Sequence, residues 1–123
     1  MKSLLLLLVF SASSLPAEDM TGTWIFQTNM LGNRETVECA FQQKAAELAG
    51  SCKGEEFPPA PASGVVSNEG IRFSFNYVFA GQNFACTYTG RQTGKTEMTG
   101  SIVVTGIDGV SGEFKATKQE GKK

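Results

Sequence analysis

Apolar and polar residues alternate with period two through most of this chain, and Gly, Asn and Asp interrupt the alternation at short intervals. That is the pattern of half-buried β-strands joined by tight turns. The clearest case is Ile71 to Phe79. Ile71, Phe73, Phe75, Tyr77 and Phe79 fall on one face, and Arg72, Ser74 and Asn76 on the other. Successive strand side chains point to opposite sides, so one face is buried and one is wet. Phe84, Cys86 and Tyr88 alternate with Thr87 and Thr89 in the same way, as do Val110, Phe114 and Ala116 with Ser111, Glu113, Lys115 and Thr117. The pattern predicts eight strands: Thr21 to Thr28, Arg34 to Gln43, Glu47 to Lys53, Ala62 to Ser67, Ile71 to Phe79, Asn83 to Gln92, Thr96 to Thr105 and Val110 to Lys118. No stretch carries a helical period. The best, Gln43 to Ala49, is too short and runs into Gly50.

The links are short, such as Asn68-Glu69-Gly70 and Thr93-Gly94-Lys95. Short links favour a meander, and eight such strands close into an antiparallel up-and-down barrel without exposed edges. A two-sheet sandwich is the alternative. Gly54 to Pro61, with Phe57-Pro58-Pro59, reads as a stiff loop over one end of the barrel.

The first segment departs from this pattern. Met1-Lys2-Ser3 precedes an unbroken apolar run from Leu4 to Phe10, followed by small residues, Pro16 and Ala17. A lysine, a short apolar run and a small-residue site make a secretory signal peptide, expected over 1–17, with a single barrel domain over 18–123. The run is far shorter than the roughly 20 residues of a membrane-spanning helix. No second long apolar segment follows, so no membrane span is expected. No Cys follows the run, which argues against a lipid anchor.

Charge narrows the partners. The formal net charge is −1, with 11 basic and 12 acidic residues. Without a basic excess, nucleic acid is not an expected partner. The chain has no His, which removes imidazole-based acid–base catalysis and the usual imidazole zinc sites. No P-loop, EF-hand, dinucleotide-binding or nucleophile-elbow pattern occurs. The expectation is a non-enzyme without cofactor or metal. Glu55-Glu56 reads as a solvated loop pair or as a cation or partner contact.

There are three cysteines, Cys39, Cys52 and Cys86. If Ala45-Ala46 is a two-residue turn, Lys44 faces Glu47 and Cys39 faces Cys52. Directly opposed residues lie within disulfide range, so a Cys39–Cys52 bridge is expected. Cys86 is then a lone thiol. It reads either as a small buried hydrophobe between Phe84 and Tyr88, or as a nucleophile, redox site or intermolecular bridge.

Gly22-Thr23-Trp24 at the start of the first strand resembles the Gly-x-Trp of the calycin superfamily, the lipocalins and avidins. Together with Leu48-Ala49-Gly50, Ile71-Arg72-Phe73-Ser74-Phe75, Tyr88-Thr89-Gly90, Met98-Thr99-Gly100 and Ser111-Gly112-Glu113-Phe114, the chain resembles a family of small exported bacterial calycin-like barrels, largely of unassigned function. The resemblance implies a barrel that binds rather than catalyses. Avidin-type biotin pockets use several tryptophans, and Trp24 is the only one here. The chain also resembles periplasmic metalloprotease inhibitors, whose N-terminal arm plugs the protease cleft. Glu18-Asp19-Met20 would be that arm.

In a meander, the links at 29–33, 54–61, 80–82 and 106–109 share one end, the mouth. Trp24, Phe41, Leu48, Phe73, Tyr88, Met98 and Phe114 are expected toward the closed end. Thr28, Phe57, Tyr77, Phe79, Phe84 and Val104 are expected toward the mouth, as candidate ligand-binding residues. Tyr77, Thr28 or Gln27 would orient a ligand. The large side chains argue for a filled interior, and Gly50, Gly90, Gly100 and Gly112 for space. The expected partner is a small apolar molecule or a protein segment. The oligomeric state is not legible.

Overall fold

Period-two alternation of buried and exposed positions runs through the strands of the computed structural model, which describes residues 19–55, 57–79, 81–105 and 110–119, without the side chains of residues 77 and 79. The strands are β1 (Gly22–Met30), β2 (Asn33–Lys44), β3 (Glu47–Gly54), β4 (Ala60–Ser67), β5 (Gly70–Phe79), β6 (Gln82–Gly94), β7 (Glu97–Thr105) and β8 (Ser111–Lys118). Each pairs antiparallel with the next, and β1 pairs with β8 to close the barrel. Closure excludes the sandwich. The expected signal peptide, Glu18, Glu56 and the link at 106–109 lie outside the described residues. Among the described residues no helix is long and apolar enough to cross a membrane.

Several boundaries shift by one residue, and three shift by two: β1 runs on to Met30, and the start of β4 and the end of β6 move for physical reasons. β4 begins at Ala60 and takes in Pro61, whose fixed φ is compatible with the first residues of a strand. β6 runs on to Gly94, with a register irregularity between Gln92 and Gly94 that the alternation does not show.

The β1–β2 hairpin turns on Leu31-Gly32, with φ of 54° and 84°. Two positive φ values mark the turn whose twist suits a two-residue hairpin, and Asn is the usual first residue there. Leu31 instead carries a β-carbon into left-handed backbone and is 73% exposed. Leu31→Asn is expected to raise the unfolding free energy by roughly 0.5–1 kcal/mol, read from urea denaturation.

The interior is built of rings. Phe26 meets Phe73, Tyr88 and Phe114 with centroids 5.6, 5.4 and 5.1 Å away. Phe73 stacks on Tyr88 at 4.9 Å and meets Phe41 edge-on at 4.9 Å. The inward glycines seat these rings. A β-carbon on Gly90 or Gly100 would lie 2.7 Å from Phe114 Cζ. A β-carbon on Gly112 would strike Met30. At these positions glycine makes room for a neighbour, so this part of the barrel is filled.

Cys39 and Cys52 are register partners and form the disulfide, with Cα atoms 4.0 Å apart. Lys44 faces Glu47, as the Ala45-Ala46 turn requires. Both sulfur residues are buried beside Trp24, itself the register partner of Cys39 on β1. A disulfide of this kind belongs to an oxidising environment.

Candidate functional site

The two ends of the barrel are built differently. At the closed end, Trp24 and Met20 are both fully buried. The Trp24 indole Nε1–H donates to the Met20 carbonyl at 3.1 Å, and the Met20 N–H donates to Gln43 Oε1 at 2.8 Å. Asp19 accepts the Thr21 N–H at 2.9 Å, and Lys118 Nζ donates to the Asp19 carbonyl at 3.3 Å. The Thr21 N–H, with its hydroxyl, holds the Asp19 carboxyl below its ordinary value. Of Asp19 and Met20, expected as part of an inhibitor arm, Met20 is buried as the barrel floor and Asp19 is exposed beside it. Met20 is an apolar residue with a large buriable side chain, and Trp24 supplies both a surface and a donor to hold it there.

The mouth end carries most of the residues singled out from the sequence. Phe57, Phe84 and Val104 are buried. Phe57 comes from the β3–β4 link and turns inward, stacking on Phe75 at 5.5 Å with 23° between the planes. Val104 and Phe75 are the register partners of Cys86 on either side. Phe84 pairs with Tyr77 across β5 and β6. The side chains of Tyr77 and Phe79 lie outside the described residues.

The expected separation of Thr28 from Phe114 does not hold. Thr28 is buried, and its hydroxyl donates to the Glu35 carbonyl at 3.1 Å. Its register partners are Glu35 on β2 and Phe114 on β8. Thr28 and Phe114, expected toward opposite ends, therefore stand side by side. Barrel strands tilt and their register staggers, so counting residues from a turn does not give height in the barrel. Gln27 is also corrected. It lies on the outer wall, where its Oε1 accepts from the Thr36 hydroxyl at 3.3 Å. Alternation puts it on the opposite face from Phe26 and Thr28.

Glu35 was missed. It is half-buried and shares the inward face of β2 with Val37, Cys39 and Phe41. Its parity with these residues is the signal that could have found it. Burial, with the Glu35 carboxylate as a second cause, pushes the Cys86 thiol up to about 11. β2 and β6 are not neighbours in the sheet, so this influence crosses the lumen. The mouth thus combines aromatic walls with the inward Glu35 and with Thr28, whose hydroxyl is engaged in donating to the Glu35 carbonyl.

The chemistry available to Cys86 follows. The thiol is buried and stays protonated at neutral pH, so it lacks the thiolate that attacks or binds metal. Among the described residues no three His, Cys, Asp or Glu side chains gather as a metal site. The raised pKa also links to stability. The neutral thiol is favoured in the fold, so its contribution is complete below about pH 9 and is lost as pH rises toward about 11. Wild type is expected to lose more stability between pH 9 and 11 than Cys86→Ala, measured by urea denaturation at each pH.

The outer wall carries open grooves. The groove beside Thr23, Ala40 and Ser51 runs where the lack of a side chain at Gly50 lets β2 and β3 approach closely.

Comparison with known proteins adds the fold and nothing finer. No family model matches the chain. No curated protein is significantly similar to it. Solved structures similar to it include two redesigned barrels. One is a redesigned beta barrel, b11L5F_LGL, with a TM-score of 0.61 and 16% identity over 82% of this chain and 92% of that one. The other is a redesigned beta barrel, mFAP0, bound to DFHBI, with a TM-score of 0.54 and 14% identity over 80% of this chain and 98% of that one.

Proposed function

We propose that this is an exported, non-catalytic binding protein that takes a small, largely apolar molecule into the mouth of its barrel. The observation that carries the reading is the asymmetry of the two ends. The closed end is sealed by Met20 and Trp24 with their hydrogen bonds satisfied. The mouth end gathers the buried Phe57, Phe75, Phe84 and Val104, with the half-buried Glu35 on the inward face of β2, the mix of apolar lining and few polar groups that ligand sites use. The resemblance to calycin-like barrels supports the reading. So does the similar redesigned barrel mFAP0, which is bound to DFHBI. The lysine-led apolar segment at residues 1–17 and the Cys39–Cys52 bridge support export to the periplasm or medium. The inhibitor reading loses support, because Met20 is committed to the floor.

The test is titration with N-phenyl-1-naphthylamine, a neutral dye that brightens in apolar surroundings. Wild type is expected to bind with a dissociation constant on the order of 10 µM. Val104→Trp, which fills the mouth, should weaken binding by about tenfold or more while retaining wild-type circular dichroism. Absence of saturable binding, or binding unchanged by Val104→Trp, contradicts the reading.

A further inference from the structure

The Phe57 ring is the only one in the described aromatic cluster that a loop supplies; its partners there all stand on strands. The difference has consequences. A wall residue cannot leave the lumen without breaking the strand ladder. Phe57 is held by its ring contacts and by one described backbone hydrogen bond, from the Gly54 N–H to its carbonyl at 3.3 Å. Pro58 and Pro59 beside it are exposed. The ring is nonetheless 8% exposed.

Its seat is shaped for a flat ring. Phe75 forms one wall at stacking distance. Gly54 forms another, where a β-carbon would come within 2.5 Å of Phe57 Cε2. Gly54 is the register partner of Val37. The next inward residue on β2, in the direction of the mouth, is Glu35. The seat is therefore a stacking slot, and parity places Glu35 on the inward face of β2 one step toward the mouth from the residue beside it. A cation near an aromatic face gains from the ring quadrupole, and gains again from a carboxylate in a partly desolvated site. An anion gains neither, and an aliphatic chain loses the stacking.

We propose that the seat held by the Phe57 ring is a subsite for a planar aromatic ring bearing a cationic nitrogen, with Glu35 as its counter-charge and Phe57 as the intramolecular ring that it displaces. This deepens the mouth-binding reading and rests on it. Phe57 then acts as a resident competitor, and each ligand must outbid it, so its removal raises apparent affinity.

The experiment is competition against bound N-phenyl-1-naphthylamine at pH 7, using tryptamine, which is cationic, and indole-3-acetate, which is anionic, on the chain without residues 1–17. Tryptamine is expected to compete about tenfold better than indole-3-acetate. Glu35→Gln should reduce that preference to about twofold or less. Phe57→Ala should tighten both competitors by about tenfold. Equal competition in wild type, a preference that survives Glu35→Gln, or affinities unchanged in folded Phe57→Ala each overturn the proposal. If Phe57→Ala fails to fold, the Glu35→Gln comparison decides alone. Dye binding that persists while these arms fail leaves mouth binding standing and removes only the aromatic-cation subsite. Absence of dye binding removes both.

Discussion

Trp24→Ala is expected to lower the unfolding free energy by about 4 kcal/mol, the upper part of the range for deleting a large buried aromatic. Three losses combine. The indole is fully buried, so its removal leaves a cavity at the barrel floor. The Met20 carbonyl loses the donor it accepts from at 3.1 Å. Met20, also fully buried, loses the surface that holds the N-terminal residues beneath the strands. Trp24→Phe separates these effects. It keeps much of the apolar surface and removes the donor, and should cost about 1–2 kcal/mol. Because the chain has a single Trp, unfolding is followed by far-ultraviolet circular dichroism in urea rather than by fluorescence. A cost below 1 kcal/mol for Trp24→Ala contradicts the sealed floor.

The second large effect is expected at the bridge. Cys39→Ala with Cys52→Ala should cost about 3 kcal/mol, the loop-closure value for a loop of this length. The bridge joins residues 13 apart in sequence. The link constrains the unfolded chain between β2 and β3 and pins their register in the fold, so its loss acts on both states. Cys39 stands opposite Trp24 on β1. Loss of the bridge therefore loosens the packing against the indole. The triple variant with Trp24→Ala should be less destabilised than the sum of the separate costs, because contacting residues are not additive. Equal stability of the double variant and oxidised wild type contradicts a structural role for the bridge.

The parts of this molecule that were legible in the sequence are those set by local rules. Alternation located the eight strands, because each has one wet face. The Ala45-Ala46 turn gave the pairing of Cys39 with Cys52, since register follows from turn length. Neither Ala45 nor Leu31 signals its positive φ, because both hold residue types that usually avoid it. The features missed depend on the closed barrel as a whole. Thr28 and Phe114 meet because stagger accumulates around the wall. Met20 is apolar, but nothing periodic before β1 showed that it tucks under the floor. Phe57 sits in an aperiodic proline loop, and only the absence of a side chain at Gly54 makes its inward turn possible. Glu35 shares the inward parity of Val37, Cys39 and Phe41, but a carboxylate usually faces water, so parity alone does not place it inward.

The account turns on one end of the barrel being a binding mouth and the other a sealed floor. Amide and indole N–H shifts of isotope-labelled protein, recorded during titration with N-phenyl-1-naphthylamine, test that division directly. The account predicts saturable shifts at Thr28, Glu35, Gly54, Phe84, Cys86 and Val104, while the Trp24 indole N–H stays unmoved. Shifts confined to the outer wall, or a moving Trp24 signal with a silent mouth, would contradict it.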